Sequence, residues 1–474
     1  MTSSLNNAPD HLRSISARQK EFYDQGLTRD VDYRIRHLKK LKKVLLDHED
    51  EICKALYADF RKPTYETETS EFWMVVLELK RFIKKCKSWS KPKRVKSSLI
   101  NFPSTSKIYF DPYGTTLIIA PWNYPFQLIM SPLIAAIAAG NTAVVKSSEL
   151  TPGTSKVIHK ILSTVFEPAY VSVVQGDAQV SENLLRLKWD YIFFTGSPRV
   201  GKIVYEAAAK HLTPVTLELG GKNPCIVDET APLELSAKRI IWGKIVNAGQ
   251  TCIAPDYLLV NQNIKDDLLL ALKNELNRAL GTNPRESQDF ARIINSSNFE
   301  RLTTLLEGQN ILFGGDSDAS ENYIAPTILD LGSLDPKAVL EELPKVMRDE
   351  IFGPILPILS YKNEADLKPW IEKYQKPLAV YLFSKNKAFK EYITKNLSYG
   401  GGVINDVILQ FLNPRLPFGG VGNSGIGAYH GQHSFEAFSH QKAVVHKGTW
   451  LDLSVRYAPY AKKSDVIKRF RKYI

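Results

Sequence analysis

Residues 112–145, PYGTTLIIAPWNYPFQLIMSPLIAAIAAGNTAVV, contain no charged side chain. A helix that spans a membrane needs about 20 predominantly apolar residues. Here Pro121, Pro125 and Pro132 interrupt the run, and Asn123, Gln127 and Asn141 add polar groups. Proline removes a backbone donor and crowds the preceding helical turn, so one continuous spanning helix is excluded. The segment reads instead as a strand (GTTLIIA), a loop, a short apolar helix (SPLIAAIAAG) stopped by Gly140, and a second strand (TAVVK). A strand–helix–strand unit that is apolar on every side is the mark of a parallel sheet covered on both faces.

The same alternation continues along the chain. KVIHKILSTV reads as a helix, AYVSVVQG and WDYIFFTG as strands, SPRVGKIVYEAAAKHL as a helix, and TPVTLELGG as a strand ending in two glycines. Long amphipathic helices are expected over 30–60 and 66–92, and SKIYFDPYG (106–114) alternates like a strand. A second α/β pattern starts near 222, with helices over 232–247 and 264–280. The fold class is α/β with a mainly parallel sheet. The length, 474 residues, allows two to four domains at ordinary domain sizes.

Composition excludes several functions. The formal net charge of +12 raises nucleic-acid binding. The basic residues, however, are spread through amphipathic segments such as RIRHLKKLKKVLL without aromatic interleaving, and they read as solvated helix faces. Four cysteines make neither a disulfide framework nor a zinc-site spacing. That fits a reducing, cytoplasmic setting. The N-terminal residues MTSSLNNAPDHLRS contain no apolar core of a secretory signal.

The turn FTGSPRVGKI matches the first seven positions of a phosphate-binding P-loop from Gly196 to Lys202. The eighth position must offer a hydroxyl to magnesium, and here it is Ile203. What remains is a strand entering a tight turn at Gly196, with Ser197 as helix cap and Pro198 in the first helical position. Such a helix start offers free N–H groups to a phosphate.

Cys53, Cys86 and Cys225 lie in apolar or helical contexts and read as core residues. Cys252 differs. In NAGQTCIAPDY (247–257) its neighbours are Gly, Gln, Thr and Pro, a loop setting in which nucleophiles are commonly placed. From residue types alone, a cysteine hydrolase and a P-loop-like nucleotide-binding protein both stand as alternatives. His430, His433 and His440 cluster near the C-terminus, but no triad spacing follows from the sequence.

PWNYP (121–125), KSSE (146–149), FTGSPRVGK (194–202), LELGGK (217–222), GQTC (249–252), EIFGP (350–354) and LPFGGVGNSG (416–425) occur in that order. The ordered set resembles the aldehyde dehydrogenase superfamily over nearly the whole chain. LTPVTLELGGKNPCIVD, GQTCIAPDYLLV and GVGNSGIGAYHGQHSFEAFSH resemble its class 3 and fatty-aldehyde branch in particular. The resemblance implies NAD- or NADP-dependent oxidation of aromatic or medium- to long-chain aldehydes to acids, with Cys252 as nucleophile. Asn123 matches the family's oxyanion donor and Glu218 the base that activates water. By the same matching, Lys146 and Glu149 hold the adenosine ribose, and Gly196, Ser197 and Gly201 line the turn near adenine and pyrophosphate. Glu350 and Phe352 match the positions at the nicotinamide ribose and ring. Trp122, Tyr124 and Phe418 wall the pocket on the cofactor and substrate sides. Ser147 stands where the family usually has proline. The matched set includes no metal ligand.

The resemblance also implies three parts. A Rossmann-like cofactor domain would take residues 1–91 and 111–221, and an α/β catalytic domain 222–395. Residues 92–110 and 396–445 would form a small bridging β-sheet between the subunits of a homodimer, followed by a tail over 446–474. In that tail, KKSDVIKRFRKYI (462–474) interleaves apolar and basic residues at helical spacing. It is too short to span a bilayer and supports at most weak, salt-sensitive contact with an anionic surface.

Overall fold

The computed structural model describes residues 9–98, 101–461 and 463–470. The uncharged run folds as its punctuation predicts: strand Thr115–Ile119, helix Gln127–Ala139 and strand Thr142–Lys146, with every residue of the helix buried. Gly140 ends that helix in the left-handed conformation, φ 100°, where a glycine carries no side-chain penalty. The two strands pair in parallel, Thr115 against Thr142 through Ile119 against Lys146.

Around this unit a six-stranded sheet forms in the order Gly425–Ile426, Val215–Leu219, Tyr191–Gly196, Thr115–Ile119, Thr142–Lys146, Val171–Val174. All pairings are parallel except that of the short strand Gly425–Ile426, which runs antiparallel to Val215–Leu219. A seven-stranded sheet has the order Ile311–Phe313, Thr327–Asp330, Ile355–Tyr361, Tyr257–Asn261, Pro224–Val227, Ala379–Phe383, Gly401–Ile404. A third sheet is antiparallel and small: Lys93–Val95, Ser104–Pro112 and Ser439–Lys447. Among the described residues no helix is long and apolar enough to cross a membrane.

Three expectations are corrected. The helix expected over 30–60 is two helices, Val31–Leu46 and Glu49–Phe60. Between them His48 leaves helical geometry (φ −122°, ψ 14°), and its ring nitrogen Nδ1 lies 2.7 Å from the Val44 carbonyl oxygen. The helix expected over 66–92 begins as Thr64–Thr67, passes through a π-helical turn at Glu68–Phe72 and continues as Trp73–Trp89. That turn brings Glu71 inside, where its carboxylate meets Lys62 Nζ at 2.7 Å with both side chains fully buried. Finally, residues 396–445 are not one bridging segment. Gly401–Ile404 closes the edge of the seven-stranded sheet and Gly425–Ile426 joins the six-stranded one. The glycines make the first pairing feasible, because a Cβ on Gly402 would stand 2.6 Å from the Val380 carbonyl oxygen. The strand that joins the small sheet is Ser439–Lys447.

The basic tail folds as a helix, Lys463–Phe470. Lys462 and residues 471–474 of the expected amphipathic pattern lie outside the described residues.

Candidate active site

Ligands of open α/β sheets bind in the crevice beyond the carboxyl ends of the strands. Here that crevice opens into a cavity of about 1080 Å³. Trp122, Asn123, Tyr124, Gly196, Ser197, Glu218, Cys252, Glu350, Phe352 and Phe418 all line it, although they come from segments far apart in the sequence. Lys146, Glu149 and Gly201 do not line it. Lys146 ends the strand Thr142–Lys146, and its Nζ donates to the Ser147 carbonyl at 2.7 Å and meets Glu149 at 3.4 Å. Gly201 lies in the first turns of helix Pro198–Ala209, where a Cβ would stand 2.6 Å from Leu219. Glycine there lets the helix pack directly on the strand that carries Glu218.

Cys252 sits beyond a strained turn. Helix Leu233–Ile245 ends, and Asn247 (φ 55°), Ala248 (φ 51°) and Gly249 (φ 73°) adopt left-handed geometry after it. Left-handed backbone costs a non-glycine residue about 1 kcal/mol, so the surroundings must hold it. Asn247 Nδ2 donates to the carbonyls of Asn123 (2.9 Å) and Gln250 (3.1 Å). Gln250 Nε2 donates to the carbonyls of Asn247 and Arg292, and its Oε1 accepts from Ile294 N–H, each at 3.0 Å. On the far side of the turn, Asn223 Nδ2 donates to the Cys252 carbonyl at 2.7 Å and the Tyr381 hydroxyl to that of Ile253 at 2.5 Å. The sequence reading does not single out Asn223, Asn247 or Tyr381. A polar residue opening an apolar strand, as in KNPCIV, is the available signal for Asn223.

Asn123 Nδ2 donates to the Gln250 carbonyl at 3.0 Å, which leaves its second N–H for a ligand. The Tyr124 hydroxyl bonds Thr251 Oγ1 at 2.8 Å. Trp122 meets Phe352 edge to face with ring centres 5.4 Å apart.

Glu218 is the residue that most needs explanation. It lies in strand Val215–Leu219, is 3% exposed, and neither carboxylate oxygen has a hydrogen-bond partner. A buried carboxylate without partners is unstable as an anion, and burial pushes Glu218 well above the ordinary carboxylate range. Burial also raises Cys252 to about 12, with the Glu350 and Glu218 carboxylates adding to the shift. Glu350 rises to about 8, first through burial and then through Asp256, against relief from Gly221 N–H, Lys222 and Arg301. Two carboxyl groups with raised proton affinity therefore share the cavity with a thiol whose proton affinity burial also raises.

The crevice fits a dinucleotide. Thr195 Oγ1 and Ser147 Oγ, at the carboxyl ends of the two strands that flank Thr115–Ile119, are buried without hydrogen-bond partners. Ser197 caps helix Pro198–Ala209 by accepting from Val200 N–H, and the helix start faces the cavity. The Glu350 carboxylate lies against Gly220, where a Cβ would stand 2.1 Å from Oε2. Ile203, which ruled out a magnesium-binding P-loop, is 46% exposed on this helix. The hydrolase alternative lacks a base beside Cys252, since none of His430, His433 and His440 lines the cavity. His430 is buried among Phe411, Phe418 and Tyr429, and burial lowers it to about 3, too weak to take a thiol proton. Among the described residues no group of three or more His, Cys, Asp or Glu side chains is arranged to hold a metal ion.

A thiol, an unpaired carboxyl and an amide donor thus line one crevice that fits a dinucleotide, an arrangement suited to an oxidoreductase. Residues 8–444 match the model of the aldehyde dehydrogenase family. The chain is 46% identical over 455 residues to a 4,4'-diaponeurosporen-aldehyde dehydrogenase of Staphylococcus aureus, covering 96% of this chain and 97% of the relative. It is 44% identical to aldehyde dehydrogenase family 3 member H1 of Arabidopsis thaliana, covering 93% and 90%. Its fold superposes on the substrate-bound state of Staphylococcus aureus AldH with a TM-score of 0.93 at 45% identity, covering 97% of this chain and 99% of that one. The chain belongs to the aldehyde dehydrogenase family, and it oxidises aldehydes with NAD(P).

Proposed function

We propose that Cys252, Asn123 and Glu218 carry the chemistry, and that the observation behind this is the unpartnered Glu218 carboxyl sharing a cavity with the Cys252 thiol. The Cys252 thiol loses its proton to solvent. The thiolate adds to the aldehyde carbon, and the carbonyl electrons move onto oxygen to give a tetrahedral thiohemiacetal. The free N–H of Asn123 and the backbone N–H of Cys252 donate to that oxyanion. NAD(P), when bound, supplies the acceptor for the hydrogen and two electrons that the carbon loses. The C=O bond reforms as a thioester on Cys252. Glu218 then removes a proton from water, the water oxygen attacks the thioester carbon, and the C–S bond breaks to give the acid and the free thiolate.

For the cofactor, Lys146 and Glu149 hold the adenosine ribose, and Gly196, Ser197 and Gly201 shape the turn near adenine and pyrophosphate. Glu350 and Phe352 hold the nicotinamide end. Trp122, Tyr124 and Phe418 wall the pocket. A carboxylate at Glu149 favours a ribose diol over a 2′-phosphate, while NADP remains a substrate of the same crevice. Reduced-cofactor absorbance on mixing the protein with NAD or NADP and a medium-chain aldehyde tests the assignment. Labelling of Cys252 by the aldehyde without turnover, or turnover that survives loss of Cys252, overturns it.

The cofactor domain (1–91, 111–221), the catalytic domain (222–395) and the small sheet serve a homodimer in this reading. Support comes from the outer strand Ser439–Lys447, whose residues are mostly exposed and whose outward backbone edge is open to a partner. Sedimentation equilibrium at micromolar protein tests it, and a monomer there refutes it. Contact with membranes is weak at most in the same reading. Trp450 (72% exposed) and Tyr460 (69%) accompany the basic tail helix. Co-sedimentation with anionic vesicles, compared with a chain ending at Ala461, tests it. Tight binding that survives high salt refutes it.

A further inference from the structure

The turn before Cys252 is held by more than its own domain. Asn247 N–H, at the first left-handed position, donates to Glu66 Oε2 at 2.9 Å. Glu66 comes from the far N-terminal part of the chain, on the single helical turn Thr64–Thr67, and it lines the cavity beside Cys252. Five residues on, Glu71 Oε2 accepts from the backbone N–H groups of Phe126 (2.9 Å) and Gln127 (3.1 Å), at the end of the loop that presents Asn123. Glu71 lies within the π-helical turn Glu68–Phe72, and Glu66 in the helical turn just before it. An inserted residue of this kind rotates the succeeding turns by about 100° relative to an α-helix. Glu66 therefore faces one loop while Glu71 faces the other. Lys62 anchors the arrangement, with Nζ at 2.7 Å from Glu71 Oε1 and 3.9 Å from the centre of the Tyr124 ring.

We propose that Glu66 is a positioning residue for the nucleophile: its carboxylate holds the left-handed turn Asn247–Gly249 and so fixes Cys252 relative to Asn123. The segment 62–72 then acts as a gauge between oxyanion donor and nucleophile, because one rigid stretch grips both loops by their backbone amides. Remove the Glu66 acceptor and Asn247 N–H loses its partner. A right-handed turn becomes the lower-energy choice for Ala248, which gains nothing from left-handed geometry. Cys252 then leaves the productive orientation while the cofactor crevice stays intact. This role for Glu66 rests on Cys252 being the nucleophile.

Glu66→Ala and Glu66→Gln test it, since glutamine keeps an acceptor oxygen at the same reach. Three quantities are measured for each: kcat with a medium-chain aldehyde, the rate of Cys252 carboxamidomethylation by iodoacetamide followed by peptide mass, and NAD dissociation from tryptophan fluorescence. The expected result is a loss of about tenfold in both kcat and alkylation for Glu66→Ala. NAD affinity stays unchanged, and Glu66→Gln restores both rates to within about twofold. Native rates in Glu66→Ala, or a Glu66→Gln variant as slow as Glu66→Ala, overturn the proposal. If Glu66→Ala does not yield folded protein, Glu66→Asp replaces it. One methylene short, it cannot reach Asn247, and native rates in that variant overturn the proposal equally. A fully active Cys252→Ser control instead rejects the nucleophile assignment, so the two failures are distinct.

Discussion

Gly249 lies so close to Gly353 that a Cβ on the first would stand 2.3 Å from the carbonyl oxygen of the second. The contact joins the turn before Cys252 to the turn that carries Phe352, whose own backbone is left-handed at φ 50°. The absence of a Cβ on Gly249 thus lets the Cys252 loop and the Phe352 loop touch backbone to backbone.

Gly249→Ala therefore meets two obstacles: a φ of 73° and that contact. The left-handed backbone alone costs about 1 kcal/mol for alanine, and the loops must separate as well. The expected outcome is a kcat lower by about tenfold or more, with secondary structure retained. Steady-state kinetics with circular dichroism checks it. A variant with native kcat would show that the loops need not touch.

Cys252→Ser is expected to reduce aldehyde oxidation by more than about a thousandfold, because a serine hydroxyl is far less ionised than a thiol near neutral pH. NAD affinity, read from tryptophan fluorescence, should not change. Substantial residual turnover removes Cys252 from the mechanism.

Glu218→Gln keeps size and burial but cannot take a proton. Acting after the oxidation step, it should leave a burst of reduced cofactor of at most one per site, followed by turnover slower by about a hundredfold or more. Stopped-flow absorbance separates the phases. If the burst disappears along with the steady state, Glu218 is needed earlier, to deprotonate Cys252.

Glu350→Gln tests the electrostatics. Burial and then the Glu350 and Glu218 carboxylates raise the Cys252 thiol to about 12. Glu350 itself titrates at about 8, so its charge is present mainly above that pH. An anion beside a thiol opposes thiolate formation, and removing it lowers the thiol pKa. Alkylation of Cys252 in Glu350→Gln is therefore expected to match the native rate at a pH of about 6.5 and to exceed it at a pH of about 9. A ratio that stays flat across that range contradicts the account.

Lys62→Met leaves Glu71 fully buried without its counter-charge. Breaking one side of such a pair costs about 3–5 kcal/mol. Urea unfolding should show a lower midpoint by a corresponding amount. A loss below about 1 kcal/mol, the worth of a single neutral hydrogen bond, would mean that the Phe126 and Gln127 amides alone satisfy Glu71.

The sequence by itself determined the parallel-sheet class, through an uncharged run that three prolines divide and a glycine ends. It also pointed to the family, because GQTC, LELGG and PWNYP are local signals that survive without coordinates. The Ser197 cap and Pro198 were legible for the same reason: a helix start is decided within four residues. Segment 396–445 was not, since three sheets share it and which edge a short strand joins depends on partners far away in sequence. Nor was the π-turn at Glu68–Phe72, which carries Glu71 to Lys62 and to the Phe126 amide, a partner far along the chain. The proton affinities of Glu218, Glu350 and Cys252 belong to the tertiary structure as well. A side chain's pKa is set by the water it loses and the charges it faces, and neither exists until the two sheets close over the cavity.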